Sequence, residues 1–117
     1  FKAGEKIFAQ GNTGDELFLI RKGSVRIMLH AGDAPGRHLS SFGRGAFFGE
    51  MAFLERAPRS ADAIAFTDVE LYVLSRQTFD AFAEVHKKLA ANLLEGLARI
   101  LSGRLRYVTA ELQALGG

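Results

Sequence analysis

The 117-residue chain contains no cysteine. Disulfides and thiolate metal sites are therefore both excluded. It also lacks any apolar run near the about 18 residues needed to span a bilayer, and nothing at its start reads as a signal peptide. No internal repeat or low-complexity tract is present. Charge of either sign is weak, with 15 Lys and Arg against 13 Asp and Glu for a formal net charge of +2. So slight an excess predicts no nucleic-acid partner by itself. His30, His38 and His86 are scattered, and no metal site is expected.

What is present suits one globular domain, residues 1–117, with 48% apolar and 24% charged residues. A chain of this length can bury roughly two-thirds of its unfolded surface, enough for a core without staples. Because residue 1 is Phe, the chain is read as a fragment of a longer protein.

Two halves carry different periods. As far as about residue 75 the chain reads as short strands, "KIFAQG", "ELFLIRKG", "SVRIMLH", "RHLSSFG", "SADAIAF" and "VELYVLS", with "AGDAPG" as a polar reversal. Val25, Ile27 and Leu29 alternate as a half-buried strand does. Gly, Asn and Asp punctuate the runs, so the expected architecture is an antiparallel, jelly-roll-like β-roll. From Ser75 the period becomes helical. A short helix carries Phe79 and Phe82, with Asp80 near its start, and a long one runs from about His86 to Leu115. Along it Leu94, Leu97, Leu101, Leu105, Val108, Leu112 and Leu115 are spaced by threes and fours, close to a heptad seam. Gly96 and Gly103 interrupt it, each costing roughly 1 kcal/mol against Ala, so a bend or very close packing is expected there. The fold class is α+β, mainly β: a roll over 1–75, then helices over 76–115.

The most informative stretch is "FFGEMAFLERAPRSA", residues 47–61. Gly49 lets a ligand approach the backbone or permits positive φ. Glu50 to Leu54 are good helix formers, and one turn there would aim free N–H groups back toward Gly49. Arg59 offers a planar fork suited to two oxygens of one phosphate. Glu50 can only accept, so its natural partner is a hydroxyl such as a ribose 2′-OH. Together these residues describe a pocket for a phosphate joined to a sugar. Phe47, Phe48, Phe53 and Phe66 are read as core, not as platforms for a base.

"FGEMAFLERAPRSA" resembles the phosphate-binding cassette of cyclic nucleotide-binding domains, F-G-E-x-A-x-x-x-x-x-x-R-[S/T/A]-A. "FKAGEKIFAQGNTGDELFLIRKGSVRI" is similar to the opening strands of the same domains, including the G-x-x-G-D turn and the G-x-V hairpin. The resemblance implies a regulatory module for cyclic AMP or cyclic GMP, with no cofactor and no catalysis. Its implied ligand-binding residues are Phe48, Gly49, Glu50, Met51, Ala52, Arg59, Ser60 and Ala61. Gly49 and Met51 would offer backbone groups, Glu50 the ribose acceptor, Arg59 the phosphate fork, and Ser60 and Ala61 the remaining phosphate and base-edge contacts. In the family the long helix covers the base, which brings Arg104, Arg106 and Tyr107 into consideration.

The implied partners are the nucleotide, a covalently attached effector domain upstream, with a membrane transporter or channel among the candidates, and a second copy joined through the long helix. The implied location is cytoplasmic, the cytoplasmic side of a membrane protein included. Three other readings compete. A receptor-type transcription factor needs a helix-turn-helix, for which only Ala114 to Gly117 remain. A cupin-like enzyme needs clustered histidines, which "RHLSS" and "MLHAG" do not supply. A dimerisation module would keep the roll empty. Ser60 does not discriminate between the nucleotides, since its hydroxyl suits either a guanine amino group or a phosphate oxygen.

Overall fold

The computed structural model describes residues 1–29 and 36–116, and the side chains of 108, 111, 112, 115 and 116 also fall outside that description. The expected reversal at 31–36, apart from Gly36, and the seam positions Val108, Leu112 and Leu115 thus lie outside the described residues. The chain divides into two compact units, Phe1–Gln77 and Thr78–Gly117.

Among the described residues the first unit is a roll of seven strands: β1 (Lys6–Phe8), β2 (Leu17–Lys22), β3 (Val25–Leu29), β4 (Arg37–Phe42), β5 (Phe47–Phe48), β6 (Asp62–Ala65) and β7 (Glu70–Leu74). One sheet has the order β1-β6-β3-β4 and the other β5-β2-β7, with every pairing antiparallel. Period-two alternation assigns the faces. On β2, Phe18 and Ile20 are buried while Leu19 is exposed; on β3, Val25 is buried while Arg26 is exposed. The inner faces meet in a core of Phe18, Ile20, Val25, Phe48, Ala63, Ala65 and Val69. Phe18 and Phe48 stack within it, ring centroids 5.1 Å apart, and the partly buried Phe8 packs tilted against both at 5.8–5.9 Å. Burial of each large side chain contributes about 1.5–3 kcal/mol.

Strand β6 corrects one expectation. Its stretch "SADAIAF" is apolar at consecutive positions, so its pattern leaves the inward set open. The fold turns Ala61, Ala63 and Ala65 inward, where their small side chains leave room for the phenylalanine rings. Phe66 is left outside, 52% exposed with the Arg26 guanidinium 3.7 Å above its ring. Phe47, Phe48 and Phe53 are buried as expected.

The chain start is tied to the turn between β6 and β7. Phe1 and Val69 exchange both backbone hydrogen bonds, Ala3 N–H donates to Asp68 Oδ1 at 2.8 Å, and Lys2 Nζ lies 3.7 Å from Asp68 Oδ2. The bond from Ala3 and the charge of Lys2 hold the Asp68 carboxyl below the ordinary Asp range. A lowered folded-state pKa means that this contribution is present at neutral pH and is lost as pH falls through it. Asp68→Ala should therefore melt below wild type at pH 7, with the gap closing on acidification below about 4. A gap that is constant with pH would show that the carboxylate charge plays no part.

Helix α2 (Arg76–Val85) starts in the last two residues of the first unit and continues into the second, where α3 spans Lys87–Gly116. Only His86 separates them, and helical hydrogen bonds run through it, from His86 N–H to Phe82 O and from Ala90 N–H to His86 O. Helix α3 is unbroken at Gly96 and Gly103, and a Cβ at either would meet no atom within 4 Å. Close packing within this chain is therefore not their reason. Of the expected seam, Leu97 is buried, Leu101 half-buried, and Leu94 and Leu105 exposed. No helix among the described residues is long and apolar enough to cross a membrane.

Candidate functional site

The site is assembled where β5 leaves the core. Gly49 follows β5 with φ 81° and ψ 13°, and α1 (Glu50–Glu55) begins immediately after it. A Cβ at Gly49 would stand 2.8 Å from Arg59 Nη1 and 3.0 Å from Glu16 O, so both the dihedral and the space require glycine. Helix α1 buries Ala52 and Phe53 and stops at Arg56, also left-handed at φ 56°, whose N–H returns to Ala52 O at 2.8 Å. This stop releases Ala57 and Pro58 and delivers Arg59, Ser60 and Ala61 back beside Gly49.

Arg59 is the centre of the arrangement. Its backbone is clamped to the turn after β1, N–H to Asn12 O at 2.9 Å and C=O from Gly11 N–H at 2.8 Å. The side chain is 3% exposed, and its guanidinium lies 4.3 Å from the centre of the Phe8 ring and 5.5 Å from that of Phe18. Nη1 donates to Glu16 O at 3.1 Å and Gly49 O at 3.2 Å, and Nη2 donates to Glu16 Oε2 at 3.0 Å. Burial pulls the pKa of the group below the ordinary guanidinium value. The charge and hydrogen bond of Glu16 oppose this, followed by the charges of Asp15 and Glu50. A guanidinium remains protonated across the physiological range, so a fixed positive charge is held in a largely desolvated position.

All eight residues expected from the sequence, Phe48, Gly49, Glu50, Met51, Ala52, Arg59, Ser60 and Ala61, line one cavity. The same cavity is completed by Phe8, Ile27, Ser40 and Phe42. Sequence reasoning missed these four. For Ser40 and Phe42 the signal is the period-two face of β4, on which both are half-buried between exposed neighbours. Glu16 was also missed, because its partner lies 43 residues away. At the cavity margin Ser60 Oγ donates to Met51 Sδ at 3.8 Å, and both residues are exposed. Such an arrangement can take a small anion on a buried fork, with carboxylate and hydroxyl groups beside it and an apolar wall opposite. Two of the three histidines serve elsewhere: His38 Nε2 bonds Ser41 Oγ at 2.9 Å, and the His86 ring packs on Phe82. His30 lies outside the described residues.

The fold and cavity thus define a class: a β-roll with a buried guanidinium in the wall of its cavity, followed by helices. Residues 1–86 match the family model described as the cyclic nucleotide-binding domain. The chain is 36% identical over 115 residues to the cyclic AMP receptor protein of Thermus thermophilus, covering 98% of this chain and 51% of that one. It is equally identical over 115 residues to glutaminase 2 of Bradyrhizobium diazoefficiens, but that match spans only 18% of the glutaminase. Among solved structures, a cyclic nucleotide-binding domain from Methylobacillus flagellatus superposes with a TM-score of 0.85 at 28% identity, covering 91% of this chain and 60% of that one. The Thermus thermophilus catabolite activator protein superposes with a TM-score of 0.81 at 36% identity, covering 98% and 52%. The chain belongs to the cyclic nucleotide-binding domain family. The chain spans from under a fifth to three-fifths of the length of these relatives.

Proposed function

We propose that this domain binds one 3′,5′-cyclic nucleotide in the cassette-lined cavity and passes the event through its C-terminal helices to a covalently attached effector. The two units then work as one cytoplasmic sensor module. The observation that carries this reading is the buried Arg59 fork, held by Glu16 and Gly49 in the wall of a cavity lined by all eight residues that the cassette resemblance implies. Arg59 takes the phosphate oxygens, Glu50 accepts from the ribose hydroxyl, and Ser60 donates to the phosphate. Cyclic AMP is the favoured ligand. Because Ser60 is committed to the phosphate, the cassette gives only modest discrimination against cyclic GMP.

Relatives in which the matched region is one part of a longer chain support an attached effector, and the 115-residue match to the Thermus thermophilus protein supports a transcription regulator as one such parent. A second copy is the other proposed partner. Leu89, Leu93, Ile100 and Tyr107 are exposed along α3, with Gly96 and Gly103 in the intervening positions of the same stripe. That spacing suits a heptad seam, and glycines in it allow two helices to approach closely.

The test is calorimetric titration of the domain with both nucleotides, with light scattering on the same sample to report dimers. Binding should be one-to-one and micromolar or tighter, about −8 kcal/mol. Ser60→Ala should weaken both ligands equally, by about fivefold for one lost hydrogen bond. A loss confined to cyclic GMP would reassign the hydroxyl to the base, and no binding of either nucleotide would end the reading.

A further inference from the structure

The cassette carries a sulfur atom at its margin. Met51 is 51% exposed although it lines the cavity, and its Sδ receives the Ser60 hydroxyl at 3.8 Å. With no cysteine in the chain, the two methionines are its only sulfurs, and Met28 is the more shielded of them. A thioether is a weak acceptor, and 3.8 Å is a loose contact, so Ser60 remains able to turn its proton to a ligand. A sulfoxide differs in kind, being polar, chiral and a strong acceptor.

We infer that Met51 is an oxidisable modification site at which a hydroperoxide lowers the affinity of the cavity for cyclic nucleotide. The proposal rests on the cyclic nucleotide reading of that cavity. In the chemical step the Sδ lone pair attacks the distal peroxide oxygen, the O–O bond breaks and an S–O bond forms. The transferred oxygen carries its proton to sulfur as S–OH, and that proton passes to the leaving alkoxide, which departs as an alcohol, or to hydroxide, which departs as water, when the oxidant is hydrogen peroxide. Sulfur is oxidised by two electrons and the peroxide is reduced by two. The new S–O oxygen lies within reach of Ser60, accepts the hydrogen bond of its hydroxyl, and adds partial negative charge beside the place proposed for the phosphate. Both effects oppose an anionic ligand. Met51 lines the cavity that the nucleotide would fill, so bound nucleotide should in turn screen its Sδ from the peroxide and slow the oxidation.

The experiment uses the whole domain, titrated with cyclic AMP before and after graded hydrogen peroxide, with peptide mass mapping to locate the added oxygen. Untreated protein should bind. Protein carrying Met51 sulfoxide should bind about five- to tenfold more weakly, the loss of one hydrogen bond with added repulsion. Methionine sulfoxide reductase with a dithiol should restore the affinity, and saturating cyclic AMP should slow oxidation at Met51. Met51→Leu, which retains Met28, should bind equally well before and after peroxide. Unchanged affinity in protein shown to carry Met51 sulfoxide overturns the inference while leaving the binding reading intact. An equal loss in Met51→Leu overturns it in favour of Met28. Failure of the untreated protein to bind removes the underlying reading, and the inference with it.

Discussion

Replacing Arg59 with leucine is expected to weaken cyclic nucleotide binding by about thirty- to a hundredfold while leaving the roll folded. The magnitude follows from charge-assisted hydrogen bonds, worth about 1.5–3 kcal/mol each, with every 1.4 kcal/mol a factor of ten. Leucine keeps an apolar side chain against Phe8 and Phe18, so the packing is largely retained. The Glu16 carboxylate loses its partner, but its side chain is 40% exposed and can rehydrate. The Glu16 and Gly49 carbonyls also lose a donor, so the variant should be less stable by about 1–3 kcal/mol yet still fold. Arg59→Lys gives a useful intermediate, because a point charge replaces a fork that reaches Glu16 and Gly49 together. Calorimetry of the two variants, with thermal melts as the folding control, checks the result. Wild-type affinity in Arg59→Leu would show that the phosphate is held elsewhere.

The largest stability effect is expected at Gly23, between β2 and β3. Its φ of +95° is one that L residues rarely adopt, and an added Cβ would stand 2.3 Å from the Asp68 backbone oxygen and 2.6 Å from Val69 Cγ1. That carbonyl cannot yield alone. The β6–β7 turn is tied back by Ser24 N–H to Thr67 Oγ1 at 3.0 Å, by Phe66 N–H to Ser24 O at 2.9 Å, and by the exchange between Phe1 and Val69. Gly23→Ala must displace this turn or distort the β2–β3 hairpin, at a cost of about 3 kcal/mol or more. For a domain of this size the melting temperature should fall by about 10–20 °C. Gly23 lines no part of the cassette cavity, so the folded fraction should bind nucleotide with unchanged affinity. A melting temperature within about 2 °C of wild type would show that the turn relaxes without cost.

The local parts of this protein were legible because their signals are local. Turn punctuation located β2, period-two alternation supported β3, the change to a helical period located α2 and α3 to within a residue or two, and the cassette located eight residues that share one cavity. The helix formers that follow Gly49 were enough to place α1, and the structure settled Gly49 as left-handed. Two apolar patterns were insufficient. "SADAIAF" suits either face inward, and a seam spaced by threes and fours drifts around a straight helix, so that Leu97 is buried while Leu94 and Leu105 are exposed.

The chain by itself determined the strand and helix succession and the chemistry of the cassette, because φ preference, side-chain period and donor or acceptor type belong to individual residues and near neighbours. Tertiary structure alone decided what completes the site. Glu16 meets Arg59 only when the β1–β2 turn closes on the cassette, and Phe8, Ile27, Ser40 and Phe42 reach the cavity from three other strands. It also decided that Ala63 and Ala65, not Phe66, face the core, because three phenylalanine rings had already filled the space between the sheets. Packing at constant density is a property of the whole interior, and no stretch of β6 carries it.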